Sequence, residues 1–195
     1  MISEILSEYE IILASKSPRR AQLLRELGVQ FTIGNKEGVE EVFPEGLSNV
    51  EVAKYLSELK ASIYENDVVD TNKLVITSDT IVCLGNEVLG KPGDKAHAIE
   101  MLSKLSGKQH SVITGVTILG SNKKTTFSVE TKVNFKDLTI DEIEYYVDHY
   151  KPYDKAGAYG IQEWIGMIGI EKIEGSYFNV VGLPVKKLYS ELLKF

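Results

Sequence analysis

The chain has 195 residues, 43% of them hydrophobic and 26% charged, and a formal net charge of −6. This is the composition of a globular protein long enough to bury a core, and its acidic balance argues against a broad nucleic-acid-binding face while leaving room for a local basic pocket. The single cysteine, Cys83, excludes an internal disulfide; no apolar run reaches membrane-spanning length, and the acidic opening MISEILSEYE lacks a secretory pattern, so cytoplasmic residence is expected.

The first clear element is EIILAS (10–15), a short buried strand. A helix follows, with Ser17 as N-cap, Pro18 in its first position and Gly28 just beyond its end. Arg19 and Arg20 fall in the first turn, where the helix dipole disfavours cations by a few tenths to about 1 kcal/mol. Arg20 lies in line with the apolar stripe of Leu23, Leu24 and Leu27, and Arg19 lies to one side. A bound anion accounts for this placement better than a solvated arginine pair does.

SNVEVAKYLSELKASIYE (48–65) is an amphipathic helix with Val52, Leu56, Leu59 and Ile63 on its apolar face. Lys54 is nearly opposite that face. Lys60 stands roughly 70° from its centre, which suits either the edge of a cleft or a snorkelling surface lysine. KLVITSDTIVCLGNEVLGKPGD (73–94) is a β-hairpin turning at Gly85-Asn86. A helix over 95–105 closes at Gly107, and HSVITGVTIL (110–119) and TTFSVETKVNF (125–135) are strands joined by SNKK. Thr139 and Glu142 form a capping box for IDEIEYYVDHY (140–150), which stops before Pro152. The Gly-rich loop DKAGAYGIQEW (154–164) precedes apolar IGMIGIEKI, a strand over SYFNVVGL (176–183) and the terminal helix PVKKLYSELLKF. Helices and long strands without regular βαβ alternation predict an α/β fold with mixed strand directions, in one domain over 1–195 that is bilobed around a cleft.

Asp79 interrupts the apolar run Val75, Ile76, Ile81, Val82. A carboxylate there needs a cation, a metal or a catalytic task; a strand-end capping role is the blander alternative. Cys83, in IVCL, reads as core filler. Lys91, before Pro92, is held at a fixed exit from the hairpin, but neither a Walker A nor a GxGxxG pattern is present. Gln162 offers a donor and an acceptor suited to a nucleobase edge. Glu40 and Glu41 are loop acids that only a metal requirement would promote, and such oxygen ligands suit magnesium or manganese. His97, His110 and His149 are scattered without zinc-like spacing, against a histidine-based metal site.

ILASKSPRR, ITSDTIVCLGNEVLGKP, LSGKQHSVITGV, YDKAGAYGIQ and EGSYFNVVGLP, in that order from about residue 10 onward, resemble the Maf family of nucleoside triphosphate pyrophosphatases. SDT and DKAGAYGIQ look like the branch acting on dTTP and UTP, not the 7-methyl-GTP branch. The resemblance implies an inosine triphosphatase-like fold, with an elongated mixed sheet flanked by helices and two lobes around a cleft. It also implies hydrolysis of a triphosphate to the monophosphate and pyrophosphate. By the same resemblance, Arg19, Arg20, Lys60 and Lys91 contact phosphate, and Asp79 accepts a proton. Thr80, Gln162 and Arg19 set specificity, and Glu41 with Asp79 attends a divalent cation, Mg2+ or Mn2+. The segment before Glu41 is one residue longer than the usual form, which leaves Glu40 as an alternative. Glu163-Trp164 follow Gln162 where the family often has glycine. A homodimer is compatible with the family, although no stretch marks its interface. Two other readings stand beside this one: a nucleotide- or nucleic-acid-binding regulator of cell division, and a simple phosphatase releasing orthophosphate.

Overall fold

In the computed structural model, which describes residues 2–36 and 39–195, a short helix α1 (Ile2–Ile5) leads into strand β1 (Glu10–Leu13). Helix α2 (Pro18–Glu26) starts as expected: the Ser17 hydroxyl accepts from the Arg20 N–H, and Gly28 takes the left-handed conformation past its end. There follow β2 (Thr32–Ile33), α3 (Asn49–Ser62), α4 (Glu65–Val68), β3 (Lys73–Leu84) and β4 (Glu87–Leu89). The two-residue Gly85-Asn86 turn joins β3 to β4 in antiparallel register, Leu84 facing Glu87. Next are α5 (Lys95–Leu105), β5 (Gln109–Leu119), β6 (Lys124–Phe135) and α6 (Ile140–Tyr150). The capping box of Thr139 and Glu142 opens α6, and a left-handed Lys151 ends it. A 3-10 turn over Ala156–Ala158 precedes α7 (Trp164–Gly169), β7 (Ile170–Glu174), α8 (Tyr177–Val181) and α9 (Val185–Leu192).

The sheet has seven strands in the order β2-β1-β3-β5-β6-β7, with β4 paired to β3. β1 runs parallel to both β2 and β3, whereas β3–β4 and β6–β7 are antiparallel, so the mixed sheet is as expected. The chain divides into two compact units: Met1–Asp79 with Thr114–Val129 and Gly182–Phe195, and Thr80–Ile113 with Glu130–Val181. Among the described residues no helix is long and apolar enough to cross a membrane.

In the first unit, α3 packs through a face of small residues. Val52, Ala53, Leu56, Ser57 and Ala61 are its buried positions, while Leu59 and Ile63 of the expected stripe are only half-buried. The reason lies in β5: a Cβ on Gly115 would sit 2.0 Å from the Ala53 carbonyl oxygen, so helix and strand meet main chain to side-chain-free main chain. Ser57 fixes the register. Its hydroxyl lies 3.0 Å from that of Thr117, and its carbonyl accepts from the Thr77 hydroxyl at 2.7 Å. Lys60, one turn further along, inherits this placement.

The second unit is built on Leu102, Leu105, Phe135, Tyr146, Val147 and Ile165. Cys83 is buried in the same unit, and burial pushes the thiol up to about 12. SYFNVVGL corrects the expectation: it contains helix α8, not a strand. The Ser176 hydroxyl accepts from the Asn179 N–H, a local cap. Fully buried Asn179 donates to the Val112 carbonyl and to the Thr131 hydroxyl, both at 3.0 Å. Tyr177 and Phe178 are both exposed, so the segment never alternates as a strand would.

His110 is buried against Phe135 and shares a 2.7 Å hydrogen bond with the Tyr159 hydroxyl. Burial lowers its pKa from 6.5 to about 4. The folded chain thus favours neutral imidazole, and unfolding takes up a proton. Its contribution to stability is complete above pH 6.5 and is lost as pH falls towards about 4, by roughly 3 kcal/mol at most. The expected NMR result is a His110 ring resonance that holds its neutral position from about pH 7.5 down to about pH 5. A midpoint near the ordinary histidine value would refute this.

Candidate active site

The amino end of α2 places Arg20 within the first unit. Its Nε donates to the Gly182 carbonyl at 2.9 Å, and its Nη1 donates to the Ser78 carbonyl at 2.8 Å and to the Ser15 hydroxyl at 3.4 Å. Alignment with the apolar stripe of α2 is what carries this side chain inward instead of into solvent. Burial pulls the guanidinium below its ordinary value; Asp79 opposes that, Arg19 reinforces it, and Glu41 opposes it more weakly. Two arginines and two carboxylates therefore act on one another here. A further anion would relieve the repulsion between Arg19 and Arg20.

Asp79 is 7% exposed at the end of the β3 segment belonging to the first unit. Lys60 meets it from α3, with Nζ 2.5 Å from Asp79 Oδ1 and 2.9 Å from Glu41 Oε1. The mid-strand carboxylate thus has the cation that burial demands. The two readings of Lys60 are resolved in geometry: its side chain is 21% exposed, and its ammonium bridges two acids instead of reaching out to water. Of the two loop acids, it is Glu41 that faces Lys60.

Asp79 and Glu41 both offer hard oxygen donors, and both reach the Lys60 ammonium, at 2.5 and 2.9 Å. Among the described residues, no three His, Cys, Asp or Glu side chains gather as a metal group. A magnesium-sized ion is commonly held by one or two carboxylates, with phosphate oxygens and water as the remaining ligands, so this donor set fits such an ion.

Thr80, Lys91 and Gln162 belong to the second unit. Lys91 is exposed beside buried Pro92, and the preceding Gly90 carbonyl accepts from the Gly157 N–H at 3.0 Å. The exit of the hairpin is thereby tied to the Gly-rich loop. Gly157 has φ +68° and lies against Val82, where a Cβ would come within 2.9 Å. Gln162 is half-buried, and its Nε2 lies over Gly160.

Sequence reasoning missed the polar cluster that holds this loop. Lys155, 8% exposed, makes ion pairs with Asp154 at 2.8 Å and Glu163 at 3.1 Å. Glu163 Oε2 accepts a short hydrogen bond from the Tyr146 hydroxyl, which in turn accepts from the Gly160 N–H at 3.0 Å. The available signal is Lys155 inside a run of small residues with an acid eight positions on.

The model of Maf-like proteins matches residues 10–195. The chain belongs to the Maf family. A Maf relative from Phocaeicola vulgatus, a dTTP/UTP pyrophosphatase, is 50% identical over 191 residues, 98% of each chain. Another dTTP/UTP pyrophosphatase, from Christiangramia forsetii, is 50% identical over 192 residues, 98% of this chain and 97% of the relative. The structure of the Staphylococcus aureus Ham1 protein matches 94% of this chain and 97% of its own with a TM-score of 0.54 at 18% identity. At that identity the likeness speaks for the fold alone, and it agrees with the mixed-sheet architecture of this Maf protein.

Proposed function

We propose that this chain hydrolyses dTTP and UTP to the nucleoside monophosphate and pyrophosphate, by attack of water on the α-phosphorus. The observation that carries the reading is the buried Asp79 carboxylate gripped by Lys60 beside Arg20 and Glu41. The substrate class rests on Maf membership and on the activity named for relatives 50% identical over nearly the whole chain.

Lys60 engages Asp79 through Oδ1. Oδ2 is accordingly the oxygen assigned to take the proton of the attacking water. As the water oxygen bonds to the α-phosphorus, the bond to the bridging oxygen breaks and pyrophosphate leaves with the electron pair. Arg19, Arg20 and Lys60 set positive charge where negative charge builds on the phosphates. Thr80, Lys91 and Gln162 take the parts the family resemblance gives them: phosphate contact for Lys91, and pyrimidine selection for Thr80 and Gln162 together with Arg19. Mg2+ or Mn2+, held by Asp79 and Glu41, would screen the triphosphate charge. We place the activity in the cytoplasm, with a free nucleotide instead of a nucleic acid as the partner.

A nucleotide panel with magnesium or manganese, resolving pyrophosphate from orthophosphate, tests the reading. Pyrophosphate from dTTP and UTP is the expected result; orthophosphate as the sole phosphate product would refute it. Arg19→Ala and Arg20→Ala should each lower kcat/KM by on the order of 100-fold. Arg20→Ala should also melt earlier, because the Ser78 and Gly182 carbonyls lose their donor. Unchanged kinetics in both variants would remove the arginines from the phosphate site.

A further inference from the structure

Glu163 stands next to the glutamine assigned to the base, where the resemblance leads one to expect glycine. Its carboxylate uses both oxygens on different partners. Oε1 pairs with the Lys155 ammonium, whose side chain is 9% exposed, and Oε2 accepts from the Tyr146 hydroxyl. Tyr146 itself is fully buried, anchored in α6 and stacked on Tyr150 at 5.0 Å. Its hydroxyl passes the connection on to the Gly160 amide. One carboxylate therefore ties the start of the Gly-rich loop at Lys155, its middle at Gly160 and its end at Glu163.

Gln162 lies between two of these anchors. A Cβ on Gly160 would come within 2.9 Å of both Gln162 Nε2 and the Glu163 carboxyl carbon. Amide and carboxylate thus lie together over the same bare stretch of main chain. We propose that Glu163 is the positioning residue for Gln162: through Lys155 and Tyr146 it fixes the loop that presents the amide, and so sets the selectivity among nucleobases. This rests on the assignment of Gln162 to the base in the proposed function.

Glu163→Gln separates the two halves of the device. An amide has one acceptor oxygen where a carboxylate has two, so it cannot accept from both Lys155 and Tyr146, as the carboxylate does. The partner left behind is buried, and the loop shifts to satisfy it. Tyr146→Phe keeps the ring and removes the hydroxyl, and with it the links to both Glu163 and Gly160.

The test combines steady-state kinetics on UTP, dTTP, CTP and GTP with NMR of the Gln162 side-chain amide, assigned by its loss in Gln162→Ala. In Glu163→Gln, KM for UTP and dTTP should rise about 10-fold with kcat within about twofold, and the preference for UTP over CTP should fall by a similar factor. The Gln162 amide signals should move or broaden. Tyr146→Phe should act in the same direction with smaller amplitude, and it decides the matter alone should Glu163→Gln not fold. Equal loss of kcat on all nucleotides with an unchanged ranking would overturn the proposal, since that is the signature of a merely structural role. Wild-type amide signals in the folded variants would overturn it too. The NMR result stands whether or not the wild-type protein hydrolyses UTP, which separates a failure here from a failure of the proposed reaction.

Discussion

Asp79→Asn should abolish nearly all turnover, by about 10³- to 10⁴-fold in kcat, while leaving a folded protein. The substitution keeps the size of the side chain within β3 and keeps an oxygen that can accept from Lys60. It removes the group assigned to accept the proton of water. The ammonium of Lys60 retains Glu41 at 2.9 Å, so no isolated buried cation results. The measurement is pyrophosphate release from UTP, with circular dichroism as the control for folding. Turnover within tenfold of wild type would take Asp79 out of the reaction and reduce its contact with Lys60 to a structural ion pair.

Gly115→Ala should be the most damaging single methyl addition in the first unit. The new Cβ would sit 2.0 Å from the Ala53 carbonyl oxygen, 2.4 Å from its carbon and 2.8 Å from the Lys54 nitrogen. All three are main-chain atoms of α3, so no side-chain rotation relieves the overlap, and the helix must withdraw from β5. Overpacking of this kind costs about 3 kcal/mol, which lowers the melting temperature by roughly 6–12 °C in a chain of this size. Withdrawal also stretches the Ser57–Thr117 contact and carries Lys60 away from Asp79. Activity should therefore fall even below the melting transition. A thermal scan and a kinetic assay on the same preparation check both parts, and a wild-type melting curve would refute the account of how α3 is seated.

The elements that carry local signals stand where the sequence places them. Ser17-Pro18, the Thr139–Glu142 box and Gly85-Asn86 act through bonds a few residues apart, and the starts of α2 and α6 and the hairpin turn follow from them. α8 is less legible because, beyond the local Ser176 cap, its anchor is distant: Asn179 is held by Val112 and Thr131, far along the chain. The inward lean of α3 towards Ala53, Ser57 and Ala61 was likewise set by Gly115, which periodicity within one helix cannot reveal. The same contrast runs through the site. Asp79 stood out as a charge in an apolar run, and Arg20 by its line with the stripe. The partner of Lys60, the choice between Glu40 and Glu41, and the Glu163 cluster depend on side chains meeting across the fold.

The sealed position of Cys83 has a practical corollary. A sulfhydryl at 1% exposure, pushed up to about 12, presents almost no thiolate to peroxide or to alkylating reagents at neutral pH. The native chain is thus indifferent to the redox state around it as far as sulfhydryl chemistry is concerned. The same residue becomes an intrinsic clock for breathing motions: each maleimide captured marks an excursion in which the β3–β4 hairpin has come open.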